Sequence, residues 1–217
     1  MGKKIFLHAV RGSFLTLGEP EYFGGKKSKD TDKRRWSATG LVGPDTLAQE
    51  CDARGIPTGP KVNAMELINK SLREVAKEKW EKKFETYLGN ILPDPKGCCF
   101  VDGNRKEYDG YQGKWALSAH RNEDQGRPLV LDNDRSPIYK PDNALYEGKA
   151  GRIFGGCYVN LHVEIWAQDN ASGKGLRAGL LGVQRVRTGD SFGGGGAPTA
   201  DAFGDVADGA DAPDDLG

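Results

Sequence analysis

Apolar and polar residues alternate in several short stretches of this chain, and a helical period appears in only one. The clearest alternation runs from Tyr158 to Trp166. Val159, Leu161, Val163 and Ile165 fall on one face, and Tyr158, Asn160, His162, Glu164 and Trp166 on the other, which predicts a half-buried strand with the aliphatic face in the core. A loop over Asp169 to Gly175 then leads into Leu176 to Arg187, its expected antiparallel neighbour. Lys4–Val10 and Ser13–Leu17 read as one or two strands around Gly12, and Arg35–Val42, Lys114–Arg121 and Leu129–Asp132 as further strands. Between Asn63 and Leu88 the apolar residues Leu67, Ile68, Leu72, Val75, Ala76, Trp80, Phe84, Tyr87 and Leu88 recur every three or four positions. They predict one long helix, about 61–88, stopped at Gly89. A shorter helix is expected over Pro44–Arg54, with proline at its start and Gly55 at its end. Many strands and one long helix imply a mainly β barrel or curled sheet with helices inserted.

Composition agrees. Of 217 residues, 31 are Gly and 11 Pro, so turns and loops occupy much of the length and a mostly helical protein is excluded. No stretch approaches the ~20 consecutive apolar residues of a membrane span, and the first apolar run is too short for a signal peptide. A cytoplasmic protein without membrane contact is therefore expected. Cys51, Cys98, Cys99 and Cys157 lack disulfide-scaffold or zinc-site spacing, so they read as free thiols with no metal and no cofactor.

Net charge is zero, but the average hides a division. All 31 basic residues lie before Gly189, where 24 of the 31 acids accompany them; the body carries +7 and residues 189–217, with seven acids, carry −7. The tail opens on four glycines at 193–196 and continues in Ala, Asp, Gly and Pro, too poor in apolar surface to offset the entropy of ordering it. Two parts are thus expected: a folded unit at 1–188 and a disordered acidic tail at 189–217. A flexible polyanion on a basic body can imitate nucleic-acid phosphate, and can be released to a partner when nucleic acid displaces it. Asp208, Asp211, Asp214, Asp215 and Leu216 are its candidate partner contacts.

Single-strand binding needs cations along the phosphates and rings on which bases stack, each stacked base contributing ~1–3 kcal/mol. The body brings both together along the chain. Lys33, Arg34, Arg35 and Trp36 form one group; Arg105, Lys106, Tyr108, Tyr111 and Lys114 a second; Lys149, Arg152 and Tyr158 a third; and Trp166 stands on the polar face of its strand. Competing motifs are weaker. Gly25-Lys26-Lys27-Ser28 lacks the spacing of a phosphate loop. Asp142, Glu147 and Lys149 spell a PD…ExK-like nuclease pattern, but the interval between the carboxylates barely allows a turn.

The strings Phe154-Gly155-Gly156-Cys157-Tyr158-Val159-Asn160 and Gly179-Leu180 to Val183-Gln184-Arg185-Val186-Arg187 resemble the single-stranded-DNA-binding proteins of tailed bacteriophages. That resemblance implies an OB fold, a five-stranded Greek-key β-barrel, which coats single strands without sequence preference or catalysis during phage DNA replication and recombination in the infected bacterial host. It also implies an acidic C-terminal tail that competes with DNA and recruits replication or recombination proteins, and it leaves self-association on DNA open. This chain ends Asp214-Asp215-Leu216-Gly217, without the terminal aromatic of several relatives. The alternatives are a Mg²⁺-dependent nuclease on Asp142, Glu147 and Lys149, and a strand-annealing recombination mediator.

Overall fold

The structure is a computed structural model that describes residues 2–30, 32–171 and 173–192. Strand β1 (Lys3–Glu21) is long enough to serve two neighbours. Register shifts after Leu7 and Ser13, with Ala9 and Phe14 in left-handed conformation (both φ 48), bend it like a pair of bulges. Its first half pairs with β8 (Tyr158–Asn170) and its second with β2 (Arg35–Val42). β2 pairs with β6 (Trp115–Asn122), β6 meets β9 (Gly173–Arg187) in parallel, and β9 returns antiparallel to β8. The circuit β1-β2-β6-β9-β8-β1 closes a five-stranded barrel with one parallel junction, an OB fold.

The alternation expected in β8 is seen in space: Val159, Leu161, Val163 and Ile165 are wholly buried. They meet Ile5, Leu7 and Val10 of β1, Ala38 of β2, Leu117 and Ala119 of β6, and Leu176, Leu180 and Val183 of β9 in one core. Short strands β5 (Phe100–Asp102) and β7 (Leu129–Leu131) add to β6 and β9.

Two expectations are corrected. Pro44–Arg54 is not helical: a turn leads to β3 (Leu47–Cys51), which forms a hairpin with β4 (Pro57–Asn63) and adds to β1 outside the barrel. Gly55, read as a helix stop, turns this hairpin at φ 85, and Asp52 Oδ1 accepts from the Arg54 and Ile56 amides. Pairing with the free edge of β1 overrides a local helix preference. The long helix is also two helices. α1 (Ala64–Trp80) starts where Asn63 Oδ1 accepts from the Met65 and Glu66 amides, and it ends at Glu81, whose φ of 47 and ψ of −121 are not helical. A 3-10 turn joins it to α2 (Phe84–Ile91), which contains Gly89 instead of stopping there. The break folds α2 back, so that Tyr87 meets Trp80 edge-on at 5.6 Å and Leu88 and Ile91 reach the core.

Candidate nucleic-acid groove

β2 and β6 turn one face to the core and the other to solvent. Across the pair Ser37 lies opposite His120, and Thr39 opposite Ser118, whose hydroxyls share a 3.1 Å hydrogen bond. With Arg35 they floor an open groove of about 550 Å³. The loop leaving β1 forms one side through Tyr22, Phe23, Gly24 and Gly25, and the Arg35 guanidinium sits 4.5 Å from the Phe23 ring centre.

Phe14, Tyr108 and Tyr111 are also in the groove lining. The Phe14 and Tyr108 centres are 4.9 Å apart edge-to-face, and Tyr108 and Tyr111 are 5.3 Å apart. Tyr111 is buried and donates to Ser13 Oγ at 3.2 Å, fixing the base of the trio, while Phe14 and Tyr108 are 56% and 49% exposed. The left-handed backbone at Phe14 costs a bulky residue ~1–3 kcal/mol. It stands at the bulge where the ring joins Tyr108. Lys106 adds a second cation.

Burial pushes the His120 imidazole down to about 4, and the neighbouring Arg35 and Arg177 charges act in the same direction, so the ring is neutral at pH 7. Among the described residues no carboxylate forms a salt bridge with Arg35. The groove therefore combines hydroxyls, a neutral imidazole, two cations, the Glu21 carboxylate at its edge and exposed rings.

The other expected positions lie apart from it. Trp36 faces inward at 4% exposure and donates its indole N–H to Gly18 O at 2.8 Å. Lys33 and Arg34 pair with Asp124 and Glu123. Arg105 donates to Pro93 O and Lys114 to Gly110 O. Lys149 and Arg152 lie 2.8 and 3.2 Å from the buried Asp132, which Arg185 also reaches at 3.5 Å. Burial, the largest single influence, would raise the Asp132 carboxyl, but the Lys149 hydrogen bond, the Asn133 amide and the Lys149 and Arg152 charges together outweigh it and lower the group. Tyr158 lies under Arg187, 3.4 Å from ring centre to guanidinium, and Trp166 borders a different depression beside α1 with Val75 and Lys79. Asp208, Asp211, Asp214, Asp215 and Leu216 fall outside the described residues. Lys149 also bonds Ser136 at 2.8 Å, and Asp142 accepts from the Ala144 amide, so these two members of the nuclease pattern serve their own loop. Among the described residues no group of three or more His, Cys, Asp or Glu is placed to hold a metal ion.

Sequence reasoning missed Phe14, Tyr22, Phe23, Ser37, Thr39, Ser118 and His120. The available signal was phase: Leu15 and Leu17 claim the core side of β1, which leaves Phe14 outward.

Residues 56–216 match the sequence profile of the family described as the ssDNA-binding protein of Enterobacter phage Enc34. The chain belongs to this family. The protein p50 of Acyrthosiphon pisum secondary endosymbiont phage 1 is 40% identical over 148 residues, covering 68% of this chain and 74% of that protein. Among solved structures, the Enc34 single-stranded DNA-binding protein in complex with ssDNA matches with a TM-score of 0.61 at 24% identity, over 88% of this chain and 89% of that one. The single-stranded DNA binding protein encoded by bacteriophage T7 matches with a TM-score of 0.50 at 16% identity, over 94% and 99%. At these identities the structural likeness is one of fold. This family member contains, among its described residues, no helix long and apolar enough to cross a membrane.

Proposed function

We propose that this family member binds single-stranded DNA along the groove over β2 and β6, without sequence preference and without catalysis, and coats single strands during phage DNA replication and recombination. The observation that carries the reading is the coincidence of Phe14, Tyr108 and Phe23 with Arg35 and Lys106 on one open surface. In chain order the barrel strands are β1, β2, β6, β8 and β9. The groove thus overlies the second and third, with the loop between the first two at its side, the surface on which OB folds take oligonucleotides. Exposed rings offer stacking to any base, and the cations follow the phosphates. Of the positions expected from sequence, Arg35, Lys106, Tyr108 and Tyr111 belong to this surface.

The acidic tail is proposed to compete with DNA for this groove and, once displaced, to engage replication proteins. Its root supports this. Arg11 donates to Asp190 O at 2.5 Å, and the Phe192 ring packs under Arg11 and against the cluster containing Tyr111. The tail therefore leaves the body beside the aromatic trio, at high effective concentration.

None of the four tryptophans lines the groove, so labelled oligomers report binding better than intrinsic fluorescence. Anisotropy titrations of labelled poly-dT, matched duplex and matched RNA at several salt concentrations test the reading. Saturable binding to the single strand is expected, weakening with salt at a log–log slope near −0.7 per phosphate contact. Equal affinity for duplex, or affinity indifferent to salt, overturns it. Removing residues 190–217 should tighten binding at low salt, and unchanged affinity refutes the competing tail.

A further inference from the structure

β6 and β9 meet at a single register pair, His120 against Gly179, which makes this the thinnest seam of the barrel. The segment Gly97-Cys98-Cys99 splints it. The Leu176 amide of β9 donates to Gly97 O at 2.8 Å and the Cys99 amide donates to Leu176 O at 2.9 Å, while the Ser118 amide of β6 donates to Cys99 O at 2.9 Å. Arg177 adds bonds to Lys96 O and Gly97 O at 3.0 and 2.8 Å. Both cysteines belong to the lining of the groove, at 4% and 7% exposure, and Cys98 Sγ accepts from the Phe100 amide at 3.5 Å. Cys51 and Cys157 do not line it.

We propose that Cys98 and Cys99 form a reversible dithiol–disulfide site in the groove wall, oxidised by a peroxide, and that closing it loosens the β6–β9 seam and weakens DNA binding. The effect on DNA rests on the single-strand reading above; the thiol chemistry does not. The Cys98 sulfur attacks one peroxide oxygen. The O–O bond breaks, leaving a sulfenic acid and a hydroxide that takes the Cys98 proton to become water. Cys99 then attacks the sulfenic sulfur: the S–S bond forms, the S–O bond breaks, and the departing hydroxide takes the Cys99 proton. Two thiols lose two electrons and two protons, and one peroxide becomes two waters. Cys98 is suited to be the nucleophile. The Cys99 hydrogen bond holds its thiol below the ordinary range against the opposing effect of burial, with help from the Phe100 amide and Arg177, while the same bond and burial hold Cys99 above that range.

Geometry makes such a bond responsive. Neighbouring Cα atoms stand ~3.8 Å apart, whereas disulfides usually span ~4.4–6.8 Å, so a bond between adjacent cysteines is strained and readily reduced. Forming it turns the Cys98–Cys99 peptide. That peptide carries the N–H bonded to Leu176 O, so oxidation acts on the splint itself.

The test exposes the full-length reduced chain to hydrogen peroxide, then returns it to dithiothreitol, with peptide mass mapping and labelled-dT affinity at each step. The expected result is loss of two hydrogen atoms confined to the peptide holding Cys98 and Cys99, a several-fold weaker affinity, and recovery of both on reduction. Cys98→Ser should abolish both responses. Oxygen addition without loss of the two hydrogens, or a disulfide through Cys51 or Cys157, overturns the site. A reversible Cys98–Cys99 disulfide with unchanged DNA affinity overturns its coupling to the groove. If the reduced chain binds no single strand, the reading of the groove has failed, and the masses still decide the dithiol chemistry. Mapping the unsubstituted chain requires no variant to fold.

Discussion

Tyr108→Ala isolates stacking from charge. Tyr108 is half exposed, and its ring is held by edge contacts to Phe14 and Tyr111. Losing these pairs should cost about 1 kcal/mol of stability, or about 2–4 °C in melting temperature for a chain of this size. Losing a stacking platform costs ~1–3 kcal/mol per base, which at 1.4 kcal/mol per decade is a roughly 5- to 140-fold rise in Kd. The salt dependence should stay as it was, because no phosphate contact is lost. Lys106→Ala should behave in the opposite way, lowering the log–log salt slope by about 0.7 with a smaller loss at low salt. Anisotropy of a labelled dT oligomer over a salt series, with circular-dichroism melts of each variant, separates the two. Phe14→Ala combined with Tyr108→Ala should weaken binding by less than the sum of the singles, since the rings form one platform. A Kd within twofold of the parent for both single ring variants, or a larger loss from Trp166→Ala on the far depression, would refute the groove assignment.

Three further outcomes follow from the same structure. Asp132→Ala should destabilise the fold by about 3 kcal/mol in urea titration at pH 7, at the lower end for breaking a buried pair because Arg152 is partly solvated. The lowered Asp132 carboxyl contributes stability above its ordinary value of 3.8, and the gap between the two proteins should narrow as pH falls through its folded value. His120, near 4 in the fold against an ordinary 6.5, leaves the unfolded chain binding more protons between those values; stability should fall as pH drops through that window, and less steeply in His120→Gln. His8 and His162, also lowered by burial, add to the slope in the same direction. Gly156→Ala places a Cβ 1.9 Å from Asp190 O at a φ of 109, so hydrogen exchange should show the Asp190–Phe192 segment released before the barrel loosens; unchanged protection there would contradict the docking.

The barrel was legible wherever a strand has one wet face. β2, β6, β8 and β9 were placed within a few residues, most clearly β8, where a half-buried strand writes its burial as a period of two. β3 and β4 were not, since Leu47 to Cys51 has no such period and becomes strand only by pairing with Ile5 to His8. The break at Glu81 was hidden for a related reason: spacings of three and four continue across it, although α2 has already turned back on α1. Local pattern records which face is dry; it does not record which neighbour dried it.

The groove was half legible, and charge was the misleading half. Lys33, Arg34 and Lys149 looked like free cations beside aromatic rings, yet their acids are Asp124, Glu123 and Asp132, separated in sequence and adjacent only after folding. The floor was equally distant from view, because Ser37, Thr39, Ser118 and His120 become one surface only when β2 pairs with β6. The strings that carry the resemblance lie elsewhere. Gly156 lets the tail root approach the barrel, Cys157 and Val159 are core, and Leu180 and Val183 fill the β9 side of the interior. These residues close the barrel, and the outward faces of β8 and β9 do not line the groove. A family recognised through its closure residues therefore carries its fold into a new sequence without carrying the positions proposed here to touch DNA; the groove that holds those follows from the pairing of β2 with β6 and the outward bulge at Phe14.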